Sequence, residues 1–316
     1  MTNYPTSDHC DGKRFFNPSG ANGVGLAGVP KYLRTPKARW PDHVPLLQQL
    51  PPARAGDQTT ITMIGHSTLL WQTPVGNIIT DPVFAERVGP FELIGPRRVR
   101  SPGVRRADLP PIDLILLSHN HYDHCDVASL RTIIARDHPL CITTLGNADL
   151  LRKLGAANAI ELDWWQQSDA WRVPVTLIPA QHFSGRGLLD RNHSLWGGFV
   201  VELPGCRALF AGDSGYGAHF AEIGTRLGPF DLACIPIGAY DPRWFMRDIH
   251  TDPEEAVQAH LDLRSRLSVA MHWGTFQLTA EAINDPVERL ARARVALGVA
   301  DEAFRVLDCG QSIVLP

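Results

Sequence analysis

At 316 residues, with 30 basic and 33 acidic side chains, a net charge of −3 and a pI near 6.5, the chain can bury a large core but has no basic field for a nucleic-acid backbone. Nucleic acid is therefore not an expected partner. Cys10, Cys125, Cys141, Cys206, Cys234 and Cys309 show no CxxC spacing, and a chain of this length needs no disulfide staples, so reduced thiols in a cytosolic protein are expected. The opening MTNYPTSDHCDGKRFF is too polar for a signal peptide, and no run reaches the ~18 apolar residues of a membrane span. A soluble cytoplasmic protein is expected, with peripheral contact on the inner membrane surface left open.

Residues 1–57 are rich in Gly and Pro and predict an irregular N-terminal arm wrapped on the domain. Within it, Trp40, Leu46, Leu47 and Leu50 are expected to pack against the core rather than touch lipid. Residues 58–316 show no linker and predict a single domain. Strand-like runs follow in order: TTITMI, TLLWQ, NIIT, IDLILLS (112–118), VTLIPA (175–180), WGGFVVEL (196–203), RALFAG (207–212), DLACIPI (231–237), SVAM (268–271) and SIVL (312–315). Several are continuously apolar, as in strands buried on both faces. Helical spacing of apolar residues predicts helices near 127–137, 253–266 and 286–297, so helices should cover sheets.

The chemistry concentrates where LILLSHNHYDHCD leaves its apolar run. In extended backbone, residues two apart point the same way, so His119 and His121 can reach one ion. Asp123 and His124 follow as the chain turns, placed for a neighbouring ion. His182, Asp213 and His272 each come just after a short apolar strand, and strand ends are where α/β proteins hold ligand sites. Five imidazoles and two carboxylates form a nitrogen and oxygen set suited to zinc, with iron or manganese as alternatives. Cys125 is read as a small buried apolar residue, not a ligand. Asp213, set among small residues in AGDSGYG, is the candidate bridge between two cations. Such a pair, ~3.5–4 Å apart, would lower the pKa of a shared water and neutralise charge on a phosphoryl or carbonyl oxygen.

H-x-H-x-D-H followed by His182, Asp213 and His272 resembles the metallo-β-lactamase superfamily, which implies an α/β fold, an αββα sandwich of two mixed β-sheets flanked by helices with two metals at one edge. IELDWW (160–165), PAQHFSGRGLLDRNHSLWGG (179–198), GDSGYG (212–217), the run 222–256 and HWGTF (272–276) more specifically resemble N-acylphosphatidylethanolamine-hydrolysing phospholipase D. This resemblance runs from about Thr60 to the C-terminus. It implies that His119, His121 and His182 bind one ion, that Asp123, His124 and His272 bind the other, and that Asp213 binds both. It also implies that His250 lies near a substrate phosphate; from the residues alone, His250 precedes a helix start with cap, Pro and acids, a suitable anion site. Asp81 in ITDP resembles the superfamily aspartate that supports a metal ligand from behind, and His66 in GHST is placed near the site.

The residues predict a two-metal hydrolase, and the resemblance implies a two-zinc phosphodiesterase acting on a phospholipid or another phosphodiester through a metal-bridging hydroxide, with Asp123 or Asp213 orienting the nucleophile. The arm before Thr60 and the pair Asp248 and Ile249 depart from the family pattern, which leaves the substrate less defined than the chemistry. The alternatives are a metal-dependent lactonase or amidase with the same site, and a non-enzymatic metal- or lipid-binding scaffold. Oligomeric state is open.

Overall fold

A strand points successive side chains to opposite faces, and here that alternation sorts the apolar residues into two layers. The computed structural model describes residues 4–25, 28–51, 53–187 and 189–315. In β3 (Gly76–Thr80) and β4 (Leu114–Leu117), Ile78, Leu114 and Leu116 join the main apolar cluster, while Ile79, Ile115 and Leu117 join a second one on the opposite face. Both faces are dry, which is why these runs are continuously apolar.

Two mixed sheets of seven strands result. The first has the order β14-β1-β2-β3-β4-β5-β6, with β1 (Thr60–Gly65), β2 (Thr68–Thr73), β5 (Leu140–Thr144), β6 (Ala159–Leu162) and β14 (Ser312–Val314). The second has the order β13-β12-β11-β10-β9-β8-β7, with β7 (Gln167–Ser168), β8 (Val175–Ile178), β9 (Gly198–Leu203), β10 (Cys206–Phe210), β11 (Leu232–Pro236), β12 (Ser268–Met271) and β13 (Phe304–Val306). The same layout occurs twice: antiparallel hairpins at one end of each sheet and parallel strands at the other.

Helices flank the sheets. α2 (Val127–Asp137) starts where Asp126 accepts hydrogen bonds from the amides of Ala128 and Ser129, and it presents Leu130, Ile133 and Ile134 to the first sheet beside Leu151 of α3 (Ala148–Lys153). α4 (His219–Arg226), α6 (Pro253–Asp262) and α7 (Asp285–Leu297) bring Phe220, Val257 and Leu290 to the main cluster with the second sheet, and the short α5 (Arg243–Met246) precedes α6. Fully burying one such side chain is worth about 1.5–3 kcal/mol, so the strands that carry the site are held firmly.

Four differences from the sequence expectation have physical causes. α6 ends at Asp262, not near 266, because Arg264 takes a left-handed backbone (φ 54°) and turns its guanidinium to the Gly224 carbonyl. β5, β6, β7 and β13 were not expected: β7 and β13 span only two and three residues and β6 is half-exposed, while β5 has five mostly buried residues whose apolar run is broken by Thr143 and Thr144. The arm is not wholly irregular: it holds α1 (Val29–Leu33), with Pro30 in its first turn and Tyr32 stacked on Phe245 at 4.6 Å. Finally, Leu47 and Leu50 do not pack inward but are 84% and 78% exposed, whereas Trp40 donates from Nε1 to the Glu281 carbonyl at 2.8 Å. All six cysteines are free and buried. Among the described residues no helix is long and apolar enough to cross a membrane.

Candidate metal centre

Strand direction decides which loops meet. β1, β3 and β4 run the same way in the first sheet, and β8, β10, β11 and β12 run the same way in the second. The C-terminal ends of these strands release His66, Asp81, the 119–124 segment, His182, Asp213 and His272. Three of these residues, His66, Asp81 and His272, have positive φ values of 57°, 33° and 60°. Non-glycine residues tolerate that region only where surrounding contacts enforce it, a common mark of functional sites.

Three imidazoles form one group. His119 Nε2 lies 2.9 Å from His121 Nδ1, which lies 3.2 Å from His182 Nε2. The far side of each outer ring fixes its tautomer: His182 Nδ1 is 2.8 Å from the Ile249 carbonyl, which can only accept, so that nitrogen carries the hydrogen. His119 Nδ1 meets Ser118 Oγ at 2.9 Å, and that hydroxyl already donates to Asp81 Oδ2 at 2.6 Å, so it accepts from the ring. Both Nε2 atoms therefore turn lone pairs toward His121, whose single Nδ1 cannot satisfy two acceptors. A shared cation can. Burial, reinforced by the neighbouring imidazoles, holds His119 well below its ordinary value and His121 at about 3; burial also holds His182 at about 4, so all three are kept in the neutral, metal-binding form.

Asp123, His124 and His272 form the second group, with Asp213 between the two. Asp213 Oδ2 is 3.0 Å from both His124 Nε2 and His272 Nε2 and 3.8 Å from His182 Nε2. Asp123 Oδ2 lies 3.7 Å from His124 Nε2 and 3.6 Å from His272 Nε2. Close as they are, His124 Nε2, His272 Nε2 and Asp213 Oδ1 are buried and have no aligned hydrogen-bond partner. Unpaired polar atoms this deep are costly unless something positive sits among them. Burial opposes charge on His124 and His272, yet the Asp213 and Asp123 carboxylates outweigh it and hold both rings above their ordinary value, His272 at about 9. The carboxyls of Asp123 and Asp213 are correspondingly well below the usual range, His124 overcoming the cost of burial. The donor set thus fits divalent cations.

Asp81 braces the cluster from behind. Its Oδ2 is 2.7 Å from His124 Nδ1, and Ser118 donates to Oδ1 from its amide at 2.8 Å. Burial pushes the Asp81 carboxyl up, an effect that His124 and Ser118 offset only partly. His66 and His250 come closer than the sequence suggested. His66 Nε2 is 3.2 Å from Asp123 Oδ2, and its own group with Asp123, His124 and His272 has ligand atoms within 4.8 Å of one another. Burial, with His272 adding to it, holds His66 at about 3. His250, at the entrance to α6, is buried with an unpaired Nδ1 that lies 4.0 Å from Asp213 Oδ2, and it groups with His182 and Asp213. Burial keeps it well below its ordinary value, so its ring is neutral. Cys125 stays outside the cluster, its thiol raised to about 12 by burial.

Sequence reasoning missed three positioning residues. Ser118 locks Asp81 and His119 together; its place directly before the motif was the available signal. Asn17 donates from Nδ2 to the His182 carbonyl at 2.9 Å, reaching in from the arm, and no local pattern announces it. Arg186 donates from Nη1 to the carbonyls of Asn120 (2.9 Å) and Cys125 (2.7 Å), tying the 182–194 loop to the metal motif.

A family model described as "Beta-lactamase superfamily domain" matches residues 76–273, more than half of the chain, and the chain belongs to this metallo-β-lactamase superfamily. The fold agrees: the metallo hydrolase Igni18 of Ignicoccus hospitalis superposes with a TM-score of 0.60 at 22% identity, covering 82% of this chain and 99% of that one. Within the superfamily, the chain is similar to N-acyl-phosphatidylethanolamine-hydrolyzing phospholipase D 1 of Caenorhabditis elegans, 37% identical over 263 residues, 79% of this chain and 74% of that protein. An uncharacterized protein of Mycobacterium tuberculosis is 41% identical over 238 residues, 74% of this chain; the match spans only 63% of the mycobacterial protein.

Proposed function

We propose that the chain is a metal-dependent hydrolase acting as a phosphodiesterase of the N-acylphosphatidylethanolamine phospholipase D type. The observation that carries the metal chemistry is the convergence of buried, unpaired His124 Nε2, His272 Nε2 and Asp213 Oδ1 beside three neutral imidazoles. The 37% identity to a relative named for that reaction supports the substrate class.

In this reading His119, His121 and His182 would hold one divalent cation, Asp123, His124 and His272 would hold the other, and Asp213 would contribute to both; zinc suits the donors, with iron or manganese as alternatives. When bound, two such cations supply positive charge toward a phosphoryl oxygen and a water acidic enough to act as nucleophile near neutral pH. The protein's own residues do the positioning. Asp81 and Ser118 keep the Nε2 atoms of His119 and His124 aimed inward. Asp123, its side chain 15% exposed against 2% for Asp213, is the carboxylate nearest solvent and orients the incoming water, with His66 fixing its Oδ2. His250 turns a neutral ring toward the site and receives a substrate phosphoryl oxygen through a ring N–H.

The test is product analysis by mass spectrometry after incubating zinc-loaded protein with N-acylphosphatidylethanolamine in mixed micelles, beside Asp213→Asn. Phosphatidic acid and N-acylethanolamine released by the wild type alone would support both reaction and substrate. No product from protein that holds two metals would reject the lipid, and turnover of a lactone or amide instead would move the site to the lactonase or amidase reading.

A further inference from the structure

Two arginines on the loop that follows His182 are used differently. Arg186 is spent inside the protein: its Nη1 donates to the carbonyls of Asn120 and Cys125, and its guanidinium lies 4.1 Å from the centre of the Tyr122 ring. Arg191 is exposed, and its guanidinium lies 4.2 Å from the centre of the Phe183 ring. Its Nη2 donates to the Asn22 carbonyl at 3.1 Å, and among the described residues the side chain has no other hydrogen-bond partner and no carboxylate within ion-pair reach. Asp190, its neighbour in sequence, is occupied with the amides of Arg186 and Gly187. Burial pulls the Arg191 pKa down, and no acid stands near enough to offset it.

Phe183 connects this cation to the metal centre. Its ring centre is 4.4 Å from that of His121 and 4.9 Å from that of His182, two of the three imidazoles of the first group. One aromatic ring therefore separates an uncompensated positive charge from the metal-binding side chains. The perch is fixed on both sides: Asn192 donates from its amide to the Ser184 carbonyl at 2.9 Å, Arg14 donates from Nη1 to the Arg191 carbonyl at 2.8 Å, and the arm supplies the Asn22 carbonyl. A guanidinium can stack on a ring and still offer a planar fork of N–H donors that matches a carboxylate or a phosphate, which an ammonium cannot.

We propose that Arg191 receives a second anionic group of the substrate, a carboxylate or phosphate about one aromatic ring away from the group that meets the metals. The substrate is then a phosphodiester that carries an additional negative charge. The group at the metals rests on the phosphodiesterase reading above, whereas the second charge is read from Arg191 and its surroundings. An N-acylated ethanolamine headgroup has no such charge. An N-acylated serine headgroup differs from it by a single carboxylate, so Arg191 favours the serine type.

The experiment compares N-acetyl-O-phosphoserine with N-acetyl-O-phosphoethanolamine, soluble ligands that differ only in that carboxylate, by titration calorimetry on the zinc-loaded full chain. Wild type should bind the serine compound roughly tenfold more tightly, and added salt should shrink the difference. Arg191→Gln should bind both compounds alike, while Arg191→Lys, which keeps the charge without the fork, should retain only part of the preference. Metal content and thermal midpoint should stay at wild-type values in both variants, because the side chain is exposed. Equal binding of the two compounds by wild type would overturn the proposal, as would a preference that survives in Arg191→Gln or one that disappears only together with bound metal. Turnover separates this proposal from the reading it rests on. A higher kcat/KM on N-acylphosphatidylserine than on N-acylphosphatidylethanolamine, lost in Arg191→Gln, would support both; equal kcat/KM on the two lipids would reject the second charge and keep the phosphodiesterase. A carboxylate preference in binding, without hydrolysis of any phosphodiester, would keep the role of Arg191 and reject the phosphodiesterase.

Discussion

Asp81 Oδ2 and His124 Nδ1 lie 2.7 Å apart with both side chains fully buried, and the same oxygen accepts the Ser118 hydroxyl that in turn holds His119. One carboxylate thus sets the tautomers of two imidazoles, one in each proposed metal group. In Asp81→Asn the amide nitrogen would face donors, and one of the two rings would lose its orientation. Zinc affinity, measured by competition with a chelating dye, should fall about 10–100-fold. An unchanged affinity would remove Asp81 from the support of the site.

Chelation should destabilise the wild type more than Asp213→Asn. A ligand present at 100 times its dissociation constant stabilises the folded state by about 2.7 kcal/mol, so stripping cations should lower the thermal midpoint by several degrees and adding zinc should restore it. Because Asp213 Oδ2 stands 3.0 Å from both His124 and His272, its loss should leave fewer than two ions per chain by elemental analysis. Two ions retained by the variant would contradict the bridging role.

His250 should separate chemistry from metal binding. Its Nδ1 is 4.0 Å from Asp213 Oδ2, beyond a direct bond, so His250→Ala should keep full metal content while turnover falls about 10²-fold or more. Loss of an ion together with activity would instead make His250 a ligand.

The arm should loosen as pH rises. His9 Nδ1 is 2.6 Å from Asp8 Oδ1 and its Nε2 is 2.7 Å from Asp163 Oδ1, contacts that only an imidazolium makes with both nitrogens donating. Burial opposes that charge, but Asp163 and Asp8 outweigh it and raise the His9 pKa above 6.5. A raised folded-state pKa gives stability that is fully present below the unfolded value and is lost as pH climbs through the folded value. With Asp8 84% exposed and its share discounted for solvent, the effect is about 1 kcal/mol. The thermal midpoint of wild type should exceed that of His9→Gln at pH near 6, and the gap should close toward pH near 9. A gap that widens with pH would show that His9 is neutral in the fold.

The sequence by itself determined the sandwich strands that are long or continuously apolar, helix α2, and the concentration of His and Asp at strand ends, because periodicity and strand-end placement are local properties. It could not place β6 or β7, since short or half-exposed strands take their structure from neighbours. Nor could it bring His66 to 3.2 Å from Asp123, or turn His250 from the entrance of α6 into the cluster, because those distances depend on which strands lie side by side within a sheet and on how the loops at their ends fold back. The reach of Asn17 from the arm to the His182 carbonyl is likewise a product of tertiary structure. Residue types and spacing state which chemistry is available; the relative position of distant segments decides which atoms share it.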